Sequence, residues 1–117
     1  MGCLQITTTA PKDIAERIAA VAVAERLAAC AQVTGPVFST FRWENAVDTA
    51  TEWCCHLKTT QARWPALQAR IRGLHTYELP EIIALPIVGG SAEYLAWIEE
   101  QVREESMKGE TGRGERE

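Results

Sequence analysis

The chain has 117 residues and a formal net charge of −4, with its 12 Lys and Arg scattered among 16 Asp and Glu. That is the size of one ordinary domain, and the scatter offers no clustered basic surface for a phosphate backbone, so nucleic acid is not an expected partner. Hydrophobic residues make up 46% and charged residues 24%, a globular composition, and no apolar run approaches the roughly 20 residues needed to cross a bilayer.

The opening Met1-Gly2-Cys3-Leu4-Gln5-Ile6 has neither the basic residues nor the cleavage pattern of a signal peptide, and Ile6 stands where myristoylation wants Ser or Thr. The expected compartment is the cytoplasm, with thiols reduced. Leu4 to Thr9 is rich in β-branched residues and predicts a first strand. Pro11 suits a first helical position and Asp13 the positive end of a helix dipole. From Asp13 to Ala29, Ile14, Ile18, Val21 and Ala22 recur at helical spacing, and no glycine interrupts them.

Ala31 to Trp43 predicts a strand that Gly35-Pro36 breaks or bends, because proline cannot donate to a ladder. Beyond it, Val37, Ser39, Phe41 and Trp43 share one face and Phe38, Thr40 and Arg42 the other. Glu44 to Asp48 reads as a hairpin turn, with Asn45 suited to a left-handed conformation. Thr49 to Thr59 returns, alternating Thr51, Trp53, Cys55 and Leu57 with Glu52, Cys54, His56 and Lys58. A second helix is expected over Gln61 to Leu74, its stripe made by Trp64, Leu67, Ile71 and Leu74. Ile82 to Val88 is nearly all apolar, as a buried central strand would be. Ser91 is a good N-cap for a last helix carrying Tyr94, Leu95, Ile98 and Val102. Residues 106–117 are polar and Gly-rich and are expected to form a disordered tail after a single domain over 1–105.

The order β-α-β-β-α-β plus a terminal helix is the split βαβ, ferredoxin-like arrangement, an α+β fold. Phe38, Phe41, Trp43 and Trp53 load the long hairpin with bulk on both faces, and the hairpin offers an unpaired edge, so self-association is expected unless the last helix covers the excess. The four cysteines contain no C-x-x-C. The adjacent Cys54 and Cys55 would point to opposite faces of a strand, so most of the four read first as small buried hydrophobes.

Six short blocks occur in an order that resembles the CutA family of divalent-cation-tolerance proteins. They are Thr8-Thr9-Ala10-Pro11, Glu25-Arg26-Leu27-Ala28-Ala29-Cys30, Phe41-Arg42-Trp43-Glu44, Leu57-Lys58-Thr59, His75-Thr76-Tyr77-Glu78-Leu79-Pro80-Glu81 and Tyr94-Leu95-Ala96-Trp97. The resemblance implies a ferredoxin-like subunit in a homotrimer, related in architecture to the PII signalling proteins, and a link to tolerance of copper and other divalent metals. The copper ligands proposed in that family are a Cys after the first strand and a His-His pair. Here those positions match Thr8, Leu74 and His75, so a single ligand survives.

His75 could bind Cu(II) with help from neighbouring subunits, or could cap the second helix. Cys30 could take Cu(I) or be packed under the first helix. Trp43, Glu44, Lys58, Tyr77, Glu78 and Glu81 form a polar-aromatic set that lies near the subunit cleft in the family fold. They could hold a small anion or metabolite, or pair across the trimer. The expected function is therefore a homotrimeric metal-response protein with copper as the candidate ion; the alternative is a PII-like adaptor for a small ligand or partner. No G-x-S-x-G, P-loop, H-E-x-x-H or dinucleotide glycine motif is present, and an enzyme is not expected. A Cys30–His75 nucleophilic pair would need those side chains about 3 Å apart.

Overall fold

A computed structural model describes residues 2–104; the expected tail, 106–117, lies outside them. The elements follow the expected order: β1 (Cys3–Ala10), α1 (Lys12–Ala24), β2 (Cys30–Trp43), β3 (Ala46–Thr60), α2 (Trp64–Leu74), β4 (Ile82–Pro86) and α3 (Ala92–Gln101). The sheet order is β2-β3-β1-β4, antiparallel throughout. β3 lies between β1 and β2, and β1 between β3 and β4, so each βαβ crossover is split by another strand. This is a ferredoxin-like α+β fold.

The period-2 pattern sets the faces. Leu4, Ile6 and Ala10 of β1 share one face with Cys55 and Leu57 of β3, and all are buried. Ala15, Ile18 and Ala22 of α1 and Leu67, Ile71 and Leu74 of α2 complete that core. The opposite face carries Gln5, Thr7, His56, Lys58 and Gln32, and α3 closes only one end of it. There Ile98 and Val102 pack on Cys3 and Ala29, and the Cys3 thiol points at the Leu95 carbonyl. Ser91 accepts the Tyr94 N–H and caps α3 as expected.

Three expectations need correction. First, α1 stops at Ala24, not Ala29. Arg26 adopts φ 61°, and Leu27 N–H donates to Ala22 O while Arg26 N–H donates to Val23 O. That is a Schellman closure made without the usual glycine. Ala29 N–H then donates to Lys58 O and Thr59 Oγ1 to Leu27 O, which draws the chain into the sheet. Second, β4 is an edge strand paired only with β1, and Ile83 and Leu85 remain 44% and 51% exposed. A run apolar on both faces looks central by sequence, but half of it lies on the open side. Third, two of the four cysteines, Cys30 and Cys54, are only half-buried.

The hairpin turn is tighter than expected. Glu44 (φ 50°) and Asn45 (φ 66°) form a two-residue left-handed connection, the kind that matches strand twist, and β3 resumes at Ala46. Gly35-Pro36 is a cis peptide, with a register shift between Thr34 and Val37. Past this irregularity the hairpin runs beyond the helices, giving extents of 53 × 28 × 21 Å. α3 sits at the other end of the sheet and does not cover it. Phe38 is 80% exposed and Phe41 and Trp43 are partly open, whereas Trp53 packs against the main core. Among the described residues no helix is long and apolar enough to cross a membrane.

Candidate functional site

An open groove of about 880 Å³ lies between the hairpin and the segment that follows α2. The hairpin forms one wall because the shift at Gly35-Pro36 puts Ser39, Phe41 and Trp43 on the same face as Glu52, Ala50 and Asp48. Residues 76–79 and Glu81 form the other wall.

His75 holds that second wall in place. It is the C-cap residue of α2, with its backbone N–H on Ile71 O. Its Nε2 lies 2.7 Å from Thr9 O, and its Nδ1 lies 3.1 Å from the Tyr77 backbone N. A carbonyl only accepts and an amide N–H only donates, so the ring is the Nε2–H tautomer and both nitrogens are engaged. The Tyr77 ring leans on the imidazole at 4.7 Å. The ring thus ties the segment after α2 to the end of β1.

Tyr77 reaches from this clamp to Glu52. Its phenol is pushed up to about 12, chiefly by burial and then by the neighbouring Glu52 carboxylate and its charge. Ser39 Oγ donates to Glu52 Oε1 at 2.6 Å. Glu52 is 7% exposed and accepts from one neutral hydroxyl, that of Ser39. The carboxylates of Asp48, Glu78 and Glu81 line the groove with it, against the single guanidinium of Arg42. Glu81 and Glu52 also help to raise the Cys54 thiol, after burial.

The expected cleft set is only partly brought together. Trp43, Tyr77, Glu78 and Glu81 line the groove. Glu44 sits in the hairpin turn and does not line it. Lys58 is six residues from Glu52 on the same strand, about 20 Å at ordinary strand rise, and its Nζ donates to Gln32 Oε1. Glu52 and Ser39 were not singled out by sequence. Their alternation with Trp43 was legible, but their pairing depends on the register shift.

Cys30 lies opposite Lys58 on the open sheet face, with its sulfur 3.2 Å from the Tyr94 hydroxyl. It is not under α1. Thr9, where His75 is anchored, pairs with Cys54, four residues along β3 from Lys58, and β1 and β2 flank β3 on opposite sides, so Cys30 and Thr9 stand about 16 Å apart. Cys30 and His75 form no nucleophilic pair. Among the described residues, no group of three or more His, Cys, Asp or Glu converges to hold a metal ion.

Residues 3–101, which span the whole sheet and all three helices, match the CutA1 divalent ion tolerance protein family. The chain belongs to that family. It is 40% identical over 95 residues to the divalent-cation tolerance protein CutA of Thermus thermophilus, covering 81% of this chain and 92% of that one. The crystal structure of CutA from Xylella fastidiosa superposes with a TM-score of 0.84 at 37% identity, over 87% of this chain and 99% of that one. The CutA of Archaeoglobus fulgidus, described as periplasmic, superposes with a TM-score of 0.82 at 37% identity, over 86% and 98%. Plant relatives are longer, and the chain spans 55% of the rice protein.

The copper ligand set implied by the CutA resemblance does not fit this chain within one subunit. The Thr8 side chain is buried on the helix side of the sheet, Leu74 is a core residue, and His75 has no free nitrogen. Cys30 is on the other side of the sheet from the main core and remote from all three.

Proposed function

We propose that this chain serves divalent-cation tolerance as a homotrimer, with cations met at the carboxylate groove and not at His75 and Cys30. The observation that carries the reading is the groove's charge: Asp48, Glu52, Glu78 and Glu81 against Arg42. Self-association is supported by the uncovered Phe38, Val47 and Leu85 and by the two unpaired sheet edges, β2 and β4. A trimer would also present three such grooves and let neighbouring subunits complete a coordination shell that one subunit leaves open. The compartment proposed is the cytoplasm, in keeping with four free cysteines; fractionation checks it, since one relative is described as periplasmic.

The test is a Cu(II) titration by calorimetry in non-chelating buffer, with light scattering to fix the subunit number. The parent, His75→Ala and the double variant Glu78→Gln/Glu81→Gln are compared. Binding is expected to persist in His75→Ala and to weaken at least about tenfold in the double variant. Loss confined to His75→Ala, with the trimer intact, refutes the assignment to the groove.

A second reading has its own support. The groove's volume is within the roughly 300–1,000 Å³ range of small-molecule sites, and Phe41, Trp43 and Tyr77 give it aromatic walls. That geometry suits a PII-like role in which a small ligand, not a bare ion, is bound.

A further inference from the structure

Glu52 poses a charge problem within the groove. It is 93% removed from solvent by its 7% exposure, yet among the described residues no cationic side chain pairs with it. Its hydrogen-bond donor is the neutral Ser39 hydroxyl. A carboxylate has about four acceptor positions, so one hydroxyl leaves capacity in a residue that lines the groove. Burying a carboxylate without a countercharge is costly, and a cation supplied from outside removes that cost.

The walls indicate which cation. A bare metal ion wants three or more ligating side chains, which the described residues of one subunit do not bring together without help from a neighbour. An ammonium or guanidinium needs less: one well-held carboxylate and aromatic faces close by. Phe41, Trp43 and Tyr77 line the same groove and are half-exposed toward it. Asp48, Glu78 and Glu81 spread further negative charge along a groove far larger than a hydrated ion.

We propose that the groove binds an organic cation of the alkyl-diamine or guanidino-amine class, with one cationic nitrogen on Glu52 and the chain lying against Trp43 and Tyr77. This rests on the small-ligand reading of the groove. The second cationic nitrogen meets the rim carboxylates Glu78 and Glu81. Ser39 acts as a positioning residue that holds the Glu52 carboxylate still.

The test is calorimetry of the full chain with 1,4-diaminobutane and with agmatine, alongside succinate and 1,4-butanediol as anionic and neutral analogues of similar length. The diamine and agmatine are expected to bind and the analogues not. Affinity falls at least about tenfold in Glu52→Gln. Trp43→Leu, a change outside the core, weakens binding several-fold and covers the case in which Glu52→Gln does not fold. Unchanged diamine affinity in a folded Glu52→Gln overturns the assignment of the cation to Glu52. Tighter binding of succinate than of diamine overturns the cationic class but keeps the small-ligand reading. Failure of every probe to bind removes both. If no amine binds and Glu52→Gln instead lowers the subunit number, the countercharge is a side chain of a second copy, and the proposal is overturned.

Discussion

Replacing Gly35 with alanine isolates one close contact on which the hairpin depends. A Cβ at Gly35 would stand 2.5 Å from Cγ and 2.7 Å from Nε1 of Trp53, and would also strike Cδ1. Carbon atoms rest at about 3.5–4.0 Å, so the overlap is about an ångström or more. The ring cannot swing away freely, because Trp53 packs against the buried cluster of α1, α2 and the sheet. Overpacking of this kind costs about 1–3 kcal/mol, which lowers Tm by roughly 4–8 °C for each kcal/mol in a domain of this size. Gly73→Ala is the control. A Cβ there meets nothing within 4 Å, and the site lies inside α2, so the change is expected to stabilise by up to about 1 kcal/mol. Urea and thermal unfolding measure both, at equal chain concentration because the proposed homotrimer would make Tm concentration-dependent. A Gly35→Ala protein within about 0.5 kcal/mol of the parent would refute the reasoning, by showing that the Trp53 ring is not fixed by the core.

Two further outcomes follow from buried groups. Thr8 is fully buried and its Oγ1 has no hydrogen-bond partner among the described residues, so Thr8→Val should raise stability by about 1 kcal/mol in urea; a loss of that size would show a partner for the hydroxyl. Alkaline pH should weaken the fold through Cys55, whose thiol is pushed up to about 12 from 9.0, first by burial and then by Cys54. Because the folded value is the higher one, this contribution is complete below pH 9 and is lost as pH rises through about 12. Tyr77, raised to about 12 from 10.0, acts in the same direction. Unfolding of the parent and of Cys55→Ala at pH 8 and pH 11 checks it, with the parent expected to lose more; equal losses would count against it.

The groove was half legible in the sequence. Trp43, Tyr77, Glu78 and Glu81 could be grouped because they sit in blocks with recognisable patterns, and they do line one space. Lys58 sits in such a block too, but strand geometry carries it about 20 Å from Glu52. Glu52 carries no such mark, because a glutamate in an alternating strand reads as a solvated position. The tertiary structure, which sets the segment clamped by His75 across a groove from the hairpin, leaves that carboxylate buried.

By itself the sequence determined the elements and their order. Helical spacing at Ile14, Ile18 and Ala22 and at Leu67, Ile71 and Leu74, and alternation through the hairpin, are local periodicities that a chain must satisfy to bury one face. The tertiary structure decided the rest, because it turned on partners distant in sequence. Pairing with β1 alone made β4 an edge. Bonds to Lys58 O and from Thr59 Oγ1 drew residues 27–29 away from helix α1. The shift at Gly35-Pro36, with the Thr9–His75–Tyr77 clamp, set the face and the wall that enclose the groove. Periodicity records which face a residue prefers; it does not record what stands opposite.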